Sequence, residues 1–417
     1  MWGPDMENSS EKIIKDKGIE IEKHLINLSK LGERNGVLWN CVYSEQEKKV
    51  KKYLRELVEA QGLKFFEDGV GNIFAKTSFD NKGKTILVGS HIDSVKNAGK
   101  YDGMLGVLCG IYALSYLYKN YGKPKKNVEA VGLIEEEGSR FQAAYYGSKI
   151  ITGLIKETEL KDKDDDGISF IEAMKEYGYS ENGIEKSMRD DIEEYYELHI
   201  EQGPVLEHEG YKIGTVSNIA GVAIVKVKIF GRQDHAGTTP MDMRQDALVE
   251  ASRLIDEINR IPKRISKYAT ATVGCIDILP GSSNVVPDYA AFTVDIRDID
   301  SKNITAMIEY ISGKVKYING RGFRSCIEIV SNDSPVELDA KLINEIENIL
   351  DENRIKYKKM ISGAGHDAQI FALKVPAAMI FIPCKDGKSH TPDEYTSSDD
   401  IEKGLEVLIK VLKEKAW

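Results

Sequence analysis

Apolar residues recur at steps of three and four along 10–31 and again along 45–61, the spacing that lines one face of a helix, so two helices are predicted near the start of the chain. Short β-branched and apolar runs at 71–77 and 85–89 read as strands, and the second runs straight into His91 and Asp93. A glycine-rich turn, an apolar helix over 103–118 and a buried strand over 128–135 follow. This alternation predicts an α/β fold with a largely parallel sheet.

An acidic stretch then carries a helix around 168–177 and ends in a strand at 195–200. After Gly214 the pattern changes to strand 222–230, helix 243–261, strands 268–278 and 290–296, helix 304–318 and strand 325–330. That βαββαβ order is the split unit of ferredoxin-like domains. Beyond Pro335 a helix at 342–352, a glycine-rich loop, a strand at 376–382 and a helix at 400–414 return the chain to α/β. The expected organisation is a catalytic domain in two segments, 1–214 and 332–417, interrupted by a small α+β domain at 215–331. A chain of 417 residues fits two cores better than one.

Composition narrows the partners. Hydrophobic residues at 41% and charged residues at 30% suit a globular enzyme, and a net charge of -10 without a basic cluster argues against a nucleic-acid partner. The five cysteines show no CxxC spacing, so neither a disulfide framework nor a thiolate zinc site is expected. The first 17 residues are polar, and no run of about 18 apolar residues occurs, so a cytoplasmic protein without a membrane span is expected.

Of seven histidines, His91, His199, His235, His366 and His390 stand beside Gly, Asp, Gln or Pro at predicted strand ends and loops, where α/β enzymes place their sites. His91 and Asp93 leave a strand on the same side, so Asp93 can orient the imidazole, and Asp102 in the next turn is free to bridge two cations. Glu135, Glu136 and Glu137 follow a buried strand directly; a metal would relieve their repulsion, and one of them can stay free as a general base. His199 and His390 complete a mixed imidazole and carboxylate set, which suits Zn, Mn or Co better than Mg or Ca. Each cluster alone also has an ordinary reading, as a capped helix, a solvated acidic turn or a structural histidine. Four of them in one chain favour a metal site.

The motifs GSHIDSV, YDG, EEEGSRF, ELHIEQGPVLE, GRQDHAGTTPMDMRQDA, GSSNVVPD, SGAGHDAQIFA and SHTPDE resemble the carbamoylase-type amidohydrolases, and the resemblance runs from about Ile19 to Trp417. That family includes N-carbamoyl-L-amino-acid hydrolase, allantoate amidohydrolase and β-ureidopropionase, within the di-zinc aminoacylase and carboxypeptidase superfamily. The resemblance implies a di-zinc-peptidase-like α/β catalytic domain with an inserted ferredoxin-like α+β lid that also forms a homodimer. It implies that His91, Asp102, Glu137, His199 and His390 hold two divalent ions (Zn, Mn, Co or Ni), with Asp102 bridging. Glu136 would be the general base; Asp93, which orients His91, and His235, placed to donate to an oxyanion, complete the expected catalytic residues.

Asn284 and Arg297 are similar to family positions that bind the substrate amide and carboxylate, although Arg297 has an ordinary alternative in an ion pair with Asp295 or Asp298. Gly365 and His366 lie in a loop able to offer N–H groups to a carboxylate, with a supporting role behind the ligands open for His366. Gln202 either contacts the ureido group or orients His199. The expected substrate is a small carbamoyl or ureido carboxylate, an N-carbamoyl-L-amino acid or allantoate, cleaved to ammonia and carbon dioxide. Two other readings are weighed: a metal-dependent exopeptidase or N-acyl-amino-acid deacylase, which histidine at 199 disfavours, and a non-catalytic binding relative, which an intact Glu136 disfavours.

Overall fold

The computed structural model describes residues 16–77 and 83–417. Residues 10–15 of the first predicted helix and the polar stretch 1–15 lie outside the described residues. The chain runs α1 (Lys17–Leu31), α2 (Glu45–Ala60), β1 (Lys64–Glu67), β2 (Ile73–Lys76), β3 (Thr85–His91), α3 (Met104–Tyr121), β4 (Asn127–Leu133), β5 (Ile192–Ile200) and β6 (Ile213–Ile219). Next come β7 (Gly221–Phe230), α4 (Ala247–Arg260), β8 (Thr270–Leu279), β9 (Tyr289–Asp298), α5 (Ser301–Gly320) and β10 (Arg324–Asp333). The chain closes with α6 (Ala340–Glu352), β11 (Ala377–Ile382) and α7 (Ser398–Ala416). Two compact units result, one of residues 1–217, 337–360 and 366–417, the other of residues 218–336 and 361–365.

In the first unit the sheet contains the run β6-β11-β5-β3-β4-β2-β1. Its centre, β11-β5-β3-β4, is parallel, whereas β6 pairs with β11, and β2 with β4 and β1, in antiparallel fashion. The sheet is therefore mixed rather than largely parallel. Two of the added strands, β1 and β2, have four residues each, and a local apolar pattern carries no information about the direction in which a strand pairs. All seven residues of β3 are buried, as a parallel strand covered on both faces requires. Apolar α3 lies in the same core, buried from Met104 through Ser115.

Parallel register puts the carboxyl ends of the central strands side by side. His91 pairs with Leu133, two residues before Glu135, and His199 pairs with Phe381. Chemistry-bearing loops thus leave one edge of the sheet together, the usual site position in open α/β folds.

The second unit is a four-stranded antiparallel sheet in the order β8-β9-β7-β10, with its helices α4 and α5 packed on one face. Strand β7 alternates buried and half-buried residues along its length, placing Ala223, Val225, Val227 and Ile229 in that core. Among the described residues no helix is long and apolar enough to cross a membrane.

Candidate metal centre

His91 ends β3 and is 2% exposed; Asp102 follows in the turn before α3. Gly103 holds φ +66, and a β-carbon there would lie 2.3 Å from the His91 ring, so only glycine lets the turn pass over the imidazole. Asp102 Oδ1 lies 3.2 Å from His91 Nε2 and 3.1 Å from His199 Nε2. Its other oxygen, Oδ2, lies 3.4 Å from His390 Nε2, which in turn is 3.5 Å from Glu137 Oε2. The two oxygens of one carboxylate thus face two separate ligand groups, His91-Asp102-His199 and Asp102-Glu137-His390.

Tautomers follow from the partners. His91 Nδ1 is 3.1 Å from the Asp93 carbonyl oxygen and His199 Nδ1 is 2.9 Å from the Ile200 carbonyl oxygen. A carbonyl can only accept, so both Nδ1 atoms carry hydrogen and both Nε2 atoms turn to Asp102, with His199 Nε2 also 3.2 Å from the Gly103 N–H. Lone pairs aimed at a carboxylate oxygen call for a proton or a cation between them. Glu137 Oε1, buried and without a hydrogen-bond partner, makes the same demand. Mixed imidazole and carboxylate donors of this kind suit a zinc-like ion, so the residues present fit the metals that the sequence implies.

Nearest to the His91 ring is the main-chain oxygen of Asp93, not the carboxylate predicted from sequence, which lies 3.7 Å away. That carboxylate instead accepts the N–H groups of Glu136 and Glu137, at 3.0 and 3.1 Å, and so ties their turn to β3. Glu135 opens the turn with φ +49, a left-handed conformation unusual without glycine. Its Oε1 accepts from the main chain of Arg140 and Phe141.

Electrostatics record the crowding. Burial, reinforced by Glu137, Asp367 and Asp93, raises Glu136 well above the usual carboxylate range, with His91 opposing. Burial and Asp102 push Glu137 up to about 7. Burial alone would raise Asp102 too, yet His199, His390 and His91 hold it well below its ordinary value. The hydrogen bond to Asp102 lifts His390 to about 9 against its burial.

Other predicted residues have defined places. Gln202, at φ +57, reaches Asp102 Oδ2 at 2.7 Å instead of His199. His366 is 1% exposed, with its ring edge-on to His199 at 4.6 Å between centroids. Gly365 precedes it in an irregular, half-buried stretch.

In the second unit, the exposed His235 ring accepts the N–H groups of Gly237 and Thr238 at Nδ1, at 3.0 and 3.2 Å, which puts its hydrogen on Nε2 as an outward donor. Asn284 lies alongside, its carbonyl accepting the Ala236 N–H and its Oδ1 accepting from Ser282. Arg297 forms the bidentate pair with Asp295, at 2.8 Å for both contacts, and donates to the Gly363 carbonyl at 2.7 Å. The ordinary alternative for Arg297 is thus the arrangement present.

Sequence reasoning left three buried groups without a role. Glu197 joins Ser90 of β3 to the Ala368 N–H, Asp367 accepts from Ser148, and Glu394 accepts the main-chain N–H groups of Tyr101 and Asp102. Their partners lie 107 to 293 positions away, so only the acidic residue inside a motif could have flagged them.

Residues 87–414 match the profile of peptidase family M20/M25/M40. An N-carbamoyl-L-amino-acid amidohydrolase of Paenarthrobacter aurescens is 35% identical over 398 residues, covering 94% of this chain and 97% of that protein. An allantoate amidohydrolase of Bacillus subtilis is 37% identical over 389 residues, covering 92% and 94%. Among solved structures, a hydantoinase/carbamoylase family amidase from Burkholderia multivorans superposes with a TM-score of 0.89 at 30% identity, covering 96% of this chain and 98% of its own. Carrying clusters that fit a two-metal site, the chain belongs to peptidase family M20/M25/M40, on its amidohydrolase side.

Proposed function

We propose that the protein is a two-metal amidohydrolase that cuts the carbamoyl or ureido C–N bond of a small carboxylate substrate, an N-carbamoyl-L-amino acid or allantoate. The observation that carries this is Asp102, whose two oxygens face two ligand groups at 3.1–3.4 Å. In this reading His91, Asp102 and His199 hold one ion, and Asp102, Glu137 and His390 the other. When bound, such ions polarise a carbonyl and make water acidic near neutral pH. Zn, Mn, Co and Ni all suit the donors.

Glu136 is the general base in this proposal. Its turn is fixed by Asp93 through main-chain hydrogen bonds, and its carboxylate lies 3.8 Å from His91 Nε2, near enough to His91 and Glu137 to share an ion with them; in this reading it is the carboxylate left free. It takes a proton from the attacking water and returns it to the leaving nitrogen. Hydrolysis of the ureido group then yields the amine, ammonia and carbon dioxide. Asp93 is a positioning residue for Glu136 as much as for His91.

His235 is the proposed oxyanion donor, supported by the hydrogen fixed on its outward Nε2. Asn284, Arg297 and Gly365 are the proposed holders of substrate amide and carboxylate. The Asp295 pair presets the direction of the Arg297 guanidinium. Burial of His366 favours support of His199 over contact with substrate.

A lid and homodimer role is proposed for the second unit. Exposed Ile276 and Leu279 on β8, and Ile329 and Val330 on β10, support it, since they leave apolar surface on edge strands. The test of function is ammonia release by protein reloaded with each ion from N-carbamoyl-L-amino acids and allantoate, alongside hydrolysis of dipeptides. Turnover of the carbamoyl or ureido compounds is expected; turnover of dipeptides alone would overturn the reading.

A further inference from the structure

Asp102 is held from behind by a set of polar contacts that runs through Glu394 and Ser389. The N–H groups of Tyr101 and Asp102 donate to Glu394 Oε1 at 2.8 and 3.1 Å. Ser389 Oγ lies between the two carboxylates, 2.9 Å from Glu394 Oε2 and 3.0 Å from Asp102 Oδ2, with its single hydrogen available to one of them at a time. Gln202 adds its amide to the same oxygen of Asp102. Glu394 is 1% exposed, and a β-carbon on Gly99 would fall 2.3 Å from its side chain, so the 99–103 turn is shaped around this carboxylate.

These contacts join the turn that carries Asp102 to the loop that carries His390, segments 292 positions apart in the chain. Asp102 needs such a brace more than the other ligands do. A small rotation of its side chain would misdirect both oxygens, one toward His91 and His199, the other toward His390. The two main-chain N–H groups fix where its Cβ points, and Ser389 fixes Oδ2.

We propose that Glu394 is a positioning residue for cation binding, acting through Asp102 on both ion positions at once. This rests on the two-metal reading above. A mere loop brace would affect folding but leave ion affinity alone; a positioning role couples Glu394 to affinity at both positions.

The test is a titration of the full-length protein, first freed of metal with a chelator, by Zn(II) in competition with a chromophoric chelator. Wild type is expected to take two ions. Glu394→Ala is expected to weaken both by roughly 10–100-fold, the usual cost of losing a partner behind a ligand. Glu394→Gln should restore binding, because its amide oxygen accepts both N–H groups and its NH2 donates to Ser389. Should Glu394→Ala not fold, Ser389→Ala takes its place, with an expected loss of about tenfold from one hydrogen bond to a charged group.

Wild-type affinity in Glu394→Ala or Ser389→Ala would overturn the proposal, as would Glu394→Gln binding as weakly as Glu394→Ala. Wild type that takes no Zn(II) would instead remove the two-metal reading on which it rests.

Discussion

The two ligand groups that share Asp102 differ in how they are built. His91 and His199 are 2% and 1% exposed, sit at the carboxyl ends of adjacent parallel strands, and have their Nδ1 atoms tied to main-chain carbonyls. His390 is 49% exposed at its side chain, comes from an irregular loop, and holds φ +55. One group takes its two histidines from the rigid sheet; the other takes His390 from an irregular loop at a left-handed residue, while both share the Asp102 that Glu394 and Ser389 contact. The lesson is that two ions bound by one bridging carboxylate need not be held equally. The account predicts a tight position beside His199 and a labile one beside His390.

The largest expected effect separates chemistry from binding. Glu136→Gln should lower kcat by about 10²–10⁴-fold, the range of a general base, while Zn(II) binding by chelator competition stays intact. Full activity in that variant would remove its role. Next, Asp102→Asn should weaken both ions by more than ~100-fold, beyond the cost of losing an outer partner. Loss of only one ion would break the bridging arrangement.

His390→Ala sharpens the comparison itself. It should abolish the labile ion and leave the ion at His91 and His199 in place, read as one equivalent of zinc by elemental analysis. For the same reason, graded chelation of wild type should remove metal in two steps. A single step would show that the two groups hold their ions alike.

The smallest effect lies away from the site and concerns stability. Arg189 makes a bidentate pair with Asp191 and holds that carboxyl down to about 2. A depressed pKa contributes stability that is present above the unfolded value near ~3.9 and is lost as pH falls through about 2. Partial exposure of Asp191 keeps the contribution under ~1 kcal/mol. Asp191→Asn should therefore melt slightly below wild type at pH 7 and match it near pH 2.

Much of this arrangement was legible in the chain. Periodicity placed β3, β4, β5 and α3, and the carboxyl ends of β3 and β5 and the residues after β4 supplied His91, His199 and the three glutamates. Antiparallel β1, β2 and β6 were harder, because a strand's pairing direction is set by neighbours and not by its own apolar pattern. The left-handed residues Glu135, Gln202 and His390 carried no signal at all, since no glycine marks them. Glu394 was visible only as the last letter of a motif; its purpose lies in hydrogen bonds to a turn near residue 100. Arg297 shows the opposite case, in which the plain ion pair with a residue two positions away is what the fold contains.

Anomalous scattering from crystals of the zinc-loaded protein tests the central claim most directly. The account predicts two peaks flanking Asp102, one against Nε2 of His91 and His199, the other against Glu137 and Nε2 of His390. A single peak, or zinc seated among Glu197, His199 and His366 in place of the Asp102 positions, would contradict it.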